Sequence, residues 1–211
     1  MQVPDLVDAT GRLRNDLGRL GLDLALRPRA RRQIAAEITA QFEAFRGTGL
    51  RLDHVNAHKH FHIHPLIGGV ILDIGRRYGM RSLRVPREPA SVIRRVEREG
   101  EPGFAFATAP WAALLRARAR RAGVATPEAV FGLAWSGAMT ESRLAGLLAR
   151  LPPGLTEIYT HPAMAGGFEG HAPGYRYADE LVALVAPASR NALRASGAST
   201  GGYEDFLSAG A

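Results

Sequence analysis

The chain has 211 residues, 46% of them hydrophobic and 22% charged, proportions that suit a single domain over 1–211 with enough apolar material for a core. It contains no cysteine, which excludes disulfides, thiolate metal sites and thiol nucleophiles together and fits a reducing compartment such as the cytoplasm. The net charge of +7 invites a nucleic-acid partner, yet Lys59 is the only lysine and the arginines of 27–32 and 116–121 fall on helix-forming stretches, where solvated faces explain them; no nucleic acid is expected. Peripheral contact with an anionic membrane stays open as an alternative. No apolar run approaches the roughly 20 residues that span a bilayer, and Met1–Asp5 lacks the opening of a secretory signal.

Residues 1–26, with Pro4, Gly11, Gly18 and Gly21, read as a loop with at most short helical pieces. From Pro28 to Arg46, Ile34, Ile38, Phe42 and Phe45 recur at helical spacing and Gly47 can end the run, so an amphipathic helix is predicted. Leu50 to Phe61 is a strand candidate. A helix over Pro65–Tyr78 follows, with proline in its first turn and Gly79 past its end. Ser82–Val85 is a short strand closed by Pro86. Residues 86–108 form a long irregular loop, and Trp111–Ala122 is helical. Strand Ala129–Leu133, helix Thr140–Leu151 and strand Thr156–Thr160 come next. Tyr177–Ser196 returns to helix, with a break at Pro187. The alternation of strand and helix predicts parallel β/α units.

Five of the seven histidines lie within His54–His64, and in His58-Lys59-His60-Phe61-His62-Ile63-His64 they occupy every second position. On an extended strand alternate side chains share a face, so these imidazoles are expected to point the same way. Such a face suits a metal ion better than an apolar core, because every buried ring nitrogen needs a partner. His161, followed by Pro162, closes the strand candidate 156–160. Catalytic groups collect at the carboxy ends of parallel strands, so the two histidine sites are expected at one rim of a barrel or sheet.

Leu52–Pro65, with its run Asn56-Ala57-His58-Lys59-His60-Phe61-His62, resembles the His-rich signature of YdjC-like carbohydrate deacetylases. Ser82–Pro86, Phe131-Gly132, Glu157–Pro162 and Gly201–Asp205 follow in that family's order, and Asn56–His62 with the 167–175 loop is similar to its hopanoid-biosynthesis branch. The resemblance implies a metal-dependent hydrolase on a distorted (β/α) barrel of the polysaccharide-deacetylase type. The substrate it implies is an N-acetylated sugar, either a chitooligosaccharide or an N-acetylglucosaminyl hopanoid glycolipid. It implies a divalent ion, Mg or Zn, held by one aspartate and two histidines, of which His58 matches the second histidine. His161 matches a late active-site histidine that protonates the departing amine, and His60, His62 and Arg84 match positions near the site.

Two early motifs of the family, an Asp-Asp pair and a Gly-x-His, each at a strand end, do not occur in these residues. Asp5, Asp8 and Asp53 end no predicted strand and do not replace them. The expectation is therefore that about 60 residues, two β/α units at ~30 each, precede the family's equivalent of this chain and that it holds the second half of such a site. Two rivals remain: a module that binds Ni or Zn through the histidine run, and a non-catalytic relic.

Overall fold

Proline opens both long helices at the start of the chain, where its missing N–H costs nothing and its fixed φ is already helical. In the computed structural model, which describes residues 3–98 and 103–207, these helices are α2 (Pro28–Gly47) and α3 (Pro65–Arg77). Before them lies α1 (Leu17–Leu26), a helix where the glycines suggest a loop. The reason is packing. Leu20 and Leu24, four residues apart, are buried in the core, and Gly21 brings the helix against the ring of His64, whose Cδ2 would lie 3.1 Å from a Cβ there. The glycine marks a close approach, not a turn.

The chain forms two compact units. The first comprises Met1–Val85, Pro110–Thr126 and Gly202–Ala211, and the second Pro86–Ala109 and Pro127–Gly201. In the first, α1, α2 and α3 enclose a core that includes Leu6, Leu24, Ile38, Phe42, Ile71 and Leu83. The expected strand over 50–61 is reduced to one parallel bridge. Val55 donates to Ser82 O at 3.1 Å and accepts from Arg84 N at 2.9 Å, and Ser82 in turn bridges Ala125. Beyond Val55 the backbone leaves the extended region, and His58–Ile63 winds into a 3₁₀ turn with Lys59 and His60 left-handed at φ 50° and 54°. The two-residue alternation of the histidines therefore does not place their rings on one face.

In the second unit, β1 (Ala129–Phe131) and β2 (Thr156–Ile158) pair in parallel, with Ala129 opposite Thr156 and Phe131 opposite Ile158. The expected loop over 86–108 contains α4 (Ala90–Val96) and the start of α5 (Gly103–Arg121); its centre, 99–102, lies outside the described residues. Helix α6 (Glu141–Leu148) packs against α4, α7 (Tyr177–Val185) and α8 (Pro187–Ser196), the last two separated as expected at Pro187. Val92, Ile93, Phe131, Trp135, Met139 and Leu147 form the core. Arg143 grips Glu97 with two hydrogen bonds, at 2.6 and 2.9 Å, and holds that carboxyl below its ordinary range. The short helix α9 (Tyr203–Leu207) returns to the first unit.

The architecture is thus α/β with parallel pairing but rich in helix, and the described residues form no closed barrel. No helix among them is long and apolar enough to cross a membrane.

Gly68 on α3 lets that helix meet the histidine turn. A Cβ there would stand 2.6 Å from the His62 carbonyl oxygen and 2.7 Å from Leu115 Cδ1. Gly68→Ala is expected to destabilise the protein by about 1–3 kcal/mol through overpacking, although alanine is the better helix former by ~1 kcal/mol. Urea unfolding measures the sum, and an unchanged midpoint would show that the turn shifts without cost.

Candidate active site

The histidine turn separates imidazoles that the sequence groups together. His62 is fully buried, and its Nε2–H donates to the Arg84 carbonyl at 2.7 Å, fastening the turn to the bridged segment. His64 sits between α3 and α1. Burial pushes its pKa below the ordinary imidazole value, and a hydrogen bond with the Gly21 backbone opposes that shift without reversing it, so the ring is neutral at neutral pH. His60 is half-buried, its ring 6.2 Å from that of His62. His58 is the exposed member.

His58, His54 and Asn56 line a pocket of about 560 Å³ whose other walls are largely apolar, Phe42, Ile67 and Ile71 among them. His54 is fixed within it. Its Nδ1–H donates to Asp53 at 2.8 Å and its ring stacks on Tyr203 at 4.5 Å. Burial works against the charge of Asp53, but hydrogen bonds from the Glu204 amide and His54 outweigh it and hold the pKa below the ordinary carboxylate value. Arg84 contributes its main chain to this region, its carbonyl to His62 and its amide to Val55.

In the second unit, a half-buried and a fully buried carboxylate shape the segments that follow the two strands. Glu88 accepts from the amides of Gly132, Leu133 and Ala134 at 2.9, 3.1 and 2.8 Å. Gly132 is required there: its φ is +120°, and a Cβ would lie 2.5 Å from the Tyr159 carbonyl oxygen. Glu180, fully buried on α7, accepts from Met139 N at 3.0 Å and from the amide of His161, which lies just past β2. The Nδ1 of His161 is buried 3.9 Å from the same carboxylate. The rings of Tyr159 and Tyr175 make T-shaped contacts with the imidazole, with centroids at 5.6 and 5.0 Å, while 37% of the side chain stays exposed. Such an imidazole can hold and release a proton at its outer edge.

A family model described as YdjC-like protein matches residues 1–195. The chain belongs to the YdjC-like family. It is also 34% identical over 76 residues to a carbohydrate deacetylase of Brevibacillus brevis, a match that covers 36% of this chain and 28% of that protein. No solved structure matches the chain. Within this YdjC-like chain, His58, His60, His62 and Arg84 belong to the first unit and His161 to the second. Among the described residues no three His, Asp or Glu side chains gather as metal ligands. Three protein donors are the usual minimum for a catalytic zinc, so the residues present do not by themselves complete a metal site.

Glu88 and Glu180 were not picked out by the sequence motifs. Glu180 does leave a trace, since Tyr177, Glu180 and Ala183 recur at helical spacing and all three are buried. A glutamate on an apolar stripe needs partners. Glu88, in the irregular stretch after Pro86, leaves none.

Two measurements test these structural roles. His62→Ala is expected to cost about 1–3 kcal/mol, the penalty for an orphaned buried acceptor at Arg84, and an unchanged unfolding midpoint would contradict the fastening role. Burial raises the pKa of Glu88 above 4.5 although three amides oppose the shift. A raised carboxyl costs stability above its folded-state pKa, and the cost disappears as pH falls to 4.5 and below. The stability of wild type relative to Glu88→Gln is therefore expected to grow as pH falls from neutral to 4.5. A pH-independent difference would show that burial does not perturb this group.

Proposed function

We propose that the chain hydrolyses the amide of an N-acetylated sugar, releasing acetate and leaving a free amine. The observation that carries this reading is His161, held past the end of β2 with one ring nitrogen inward and the other edge accessible, in a chain of the YdjC-like family. The B. brevis relative, named a carbohydrate deacetylase, supports the substrate class. Water adds to the acetyl carbon, the C–N bond breaks, and the nitrogen must gain a proton because an amide anion is a poor leaving group. His161 is the residue proposed to deliver it. The acetamido group of an N-acetylglucosaminyl unit is common to a chitooligosaccharide and a hopanoid glycolipid, and either can present it.

A divalent ion, Mg or Zn, belongs to the proposal, with His58 as its donor in this chain. Such an ion would polarise the acetyl carbonyl and lower the pKa of a bound water, and no set of three His, Asp or Glu donors gathers among the described residues to complete its site. His60, His62 and Arg84 are proposed as supports of the turn that presents His58.

Acetate release from chitobiose carrying N-acetyl groups, and from an N-acetylglucosaminyl lipid, tests the reading with and without added Mg or Zn. His161→Asn is expected to lower kcat by on the order of 10²–10⁴-fold, and unchanged turnover would remove His161 from the mechanism. His58→Ala is expected to weaken zinc binding in calorimetry, and unaltered binding would refute the donor assignment. Stoichiometric Ni or Zn binding without any acetate release would favour the metal-binding module instead.

A further inference from the structure

We propose that Glu180 is the positioning residue of His161, fixing which ring nitrogen carries the exchangeable proton. The inference builds on the reading of His161 as proton donor. Glu180 has no exposed surface, and a carboxylate in such a place is costly unless donors converge on it. Two donors are backbone amides, Met139 N–H at 3.0 Å and His161 N–H, which fasten the segments after β1 and β2 to α7. Met139 takes one carboxylate oxygen and His161 the other, an arrangement that suits an ionised carboxylate with two acceptor oxygens. The third neighbour also benefits from the negative charge. His161 Nδ1 lies 3.9 Å from Oε2, is itself buried and makes no hydrogen bond.

A carboxylate on that side holds the proton of the neutral ring on Nδ1. The exposed edge then presents Nε2 with its lone pair, and Nε2 becomes the nitrogen that takes up and gives back a proton. When it does, the imidazolium charge develops beside an anion that is already in place. T-shaped contacts with Tyr159 and Tyr175 restrict the ring, and Tyr175 is itself anchored by a 2.8 Å hydrogen bond to Ser136. The orientation is set from both sides.

Nitrogen-15 NMR of the full chain labelled at histidine tests this without needing turnover, so it stands apart from the deacetylase reading. His161→Asn identifies the His161 signals by their loss. At alkaline pH the native protein is expected to show His161 in the Nδ1–H form, the minor form of free imidazole side chains. Glu180→Gln preserves size and keeps an acceptor oxygen for one of the two amides while removing the charge, and it is expected to shift His161 to the Nε2–H form. Where acetate release is measurable, the same variant is expected to lower kcat by about 10²-fold, the lower end of what a positioned acid contributes, with KM little changed. Native His161 in the Nε2–H form would overturn the proposal even if the variant did not fold. A folded Glu180→Gln protein with an unchanged tautomer would overturn it equally.

Discussion

A carboxylate drawn away from bulk water persists only where several N–H donors meet it, and in the second unit that requirement organises what lies beyond the strands. Backbone amides past a strand end have lost their ladder partners and must find others when buried. Glu88 collects three of them from 132–134, after β1, and Glu180 collects Met139 and His161, the latter just after β2. Each carboxylate thereby turns a loop into a fixed element. The position of His161 follows from this bonding and not from β2, which ends three residues earlier at Ile158.

In the first unit the histidines divide their labour by burial. His62 and His64 serve structure, one buried and fastened to Arg84 and the other, half-buried, pressed onto Gly21. His58 alone of the alternating run is exposed, beside the Asp53-oriented His54 in a pocket with largely apolar walls. A strand would have treated the four rings alike. The left-handed Lys59 and His60 separate them, and backbone conformations of that kind persist in non-glycine residues only where their surroundings enforce them.

Family membership rests on a match over 1–195, whereas the named deacetylase activity comes from an alignment of 76 residues covering 28% of that relative. The breadth of the first and the brevity of the second give them different weight. The family follows from nearly the whole chain, whereas the proposed chemistry rests on the placement of His58 and His161.

The sequence by itself determined the helices whose ends are written in residue type: proline at the first turn of α2, α3 and α8, and apolar residues at helical spacing between. It also determined the parallel pair β1–β2 to within two residues, and the grouping of histidines that marks the family. These are local signals, since capping, periodicity and motif order need no knowledge of distant residues. Only the tertiary structure decided that the histidine run is a 3₁₀ turn, because the fold of that segment depends on Arg84, 22 residues away, and on the gap that Gly68 leaves for it. Only the tertiary structure made 17–26 a helix, through burial of Leu20 and Leu24 and the contact of Gly21 with His64. Glu88 and Glu180 likewise gain their roles from amides 19 to 46 residues away. A carboxylate's partners are chosen by three-dimensional convergence, which spacing along a chain does not encode.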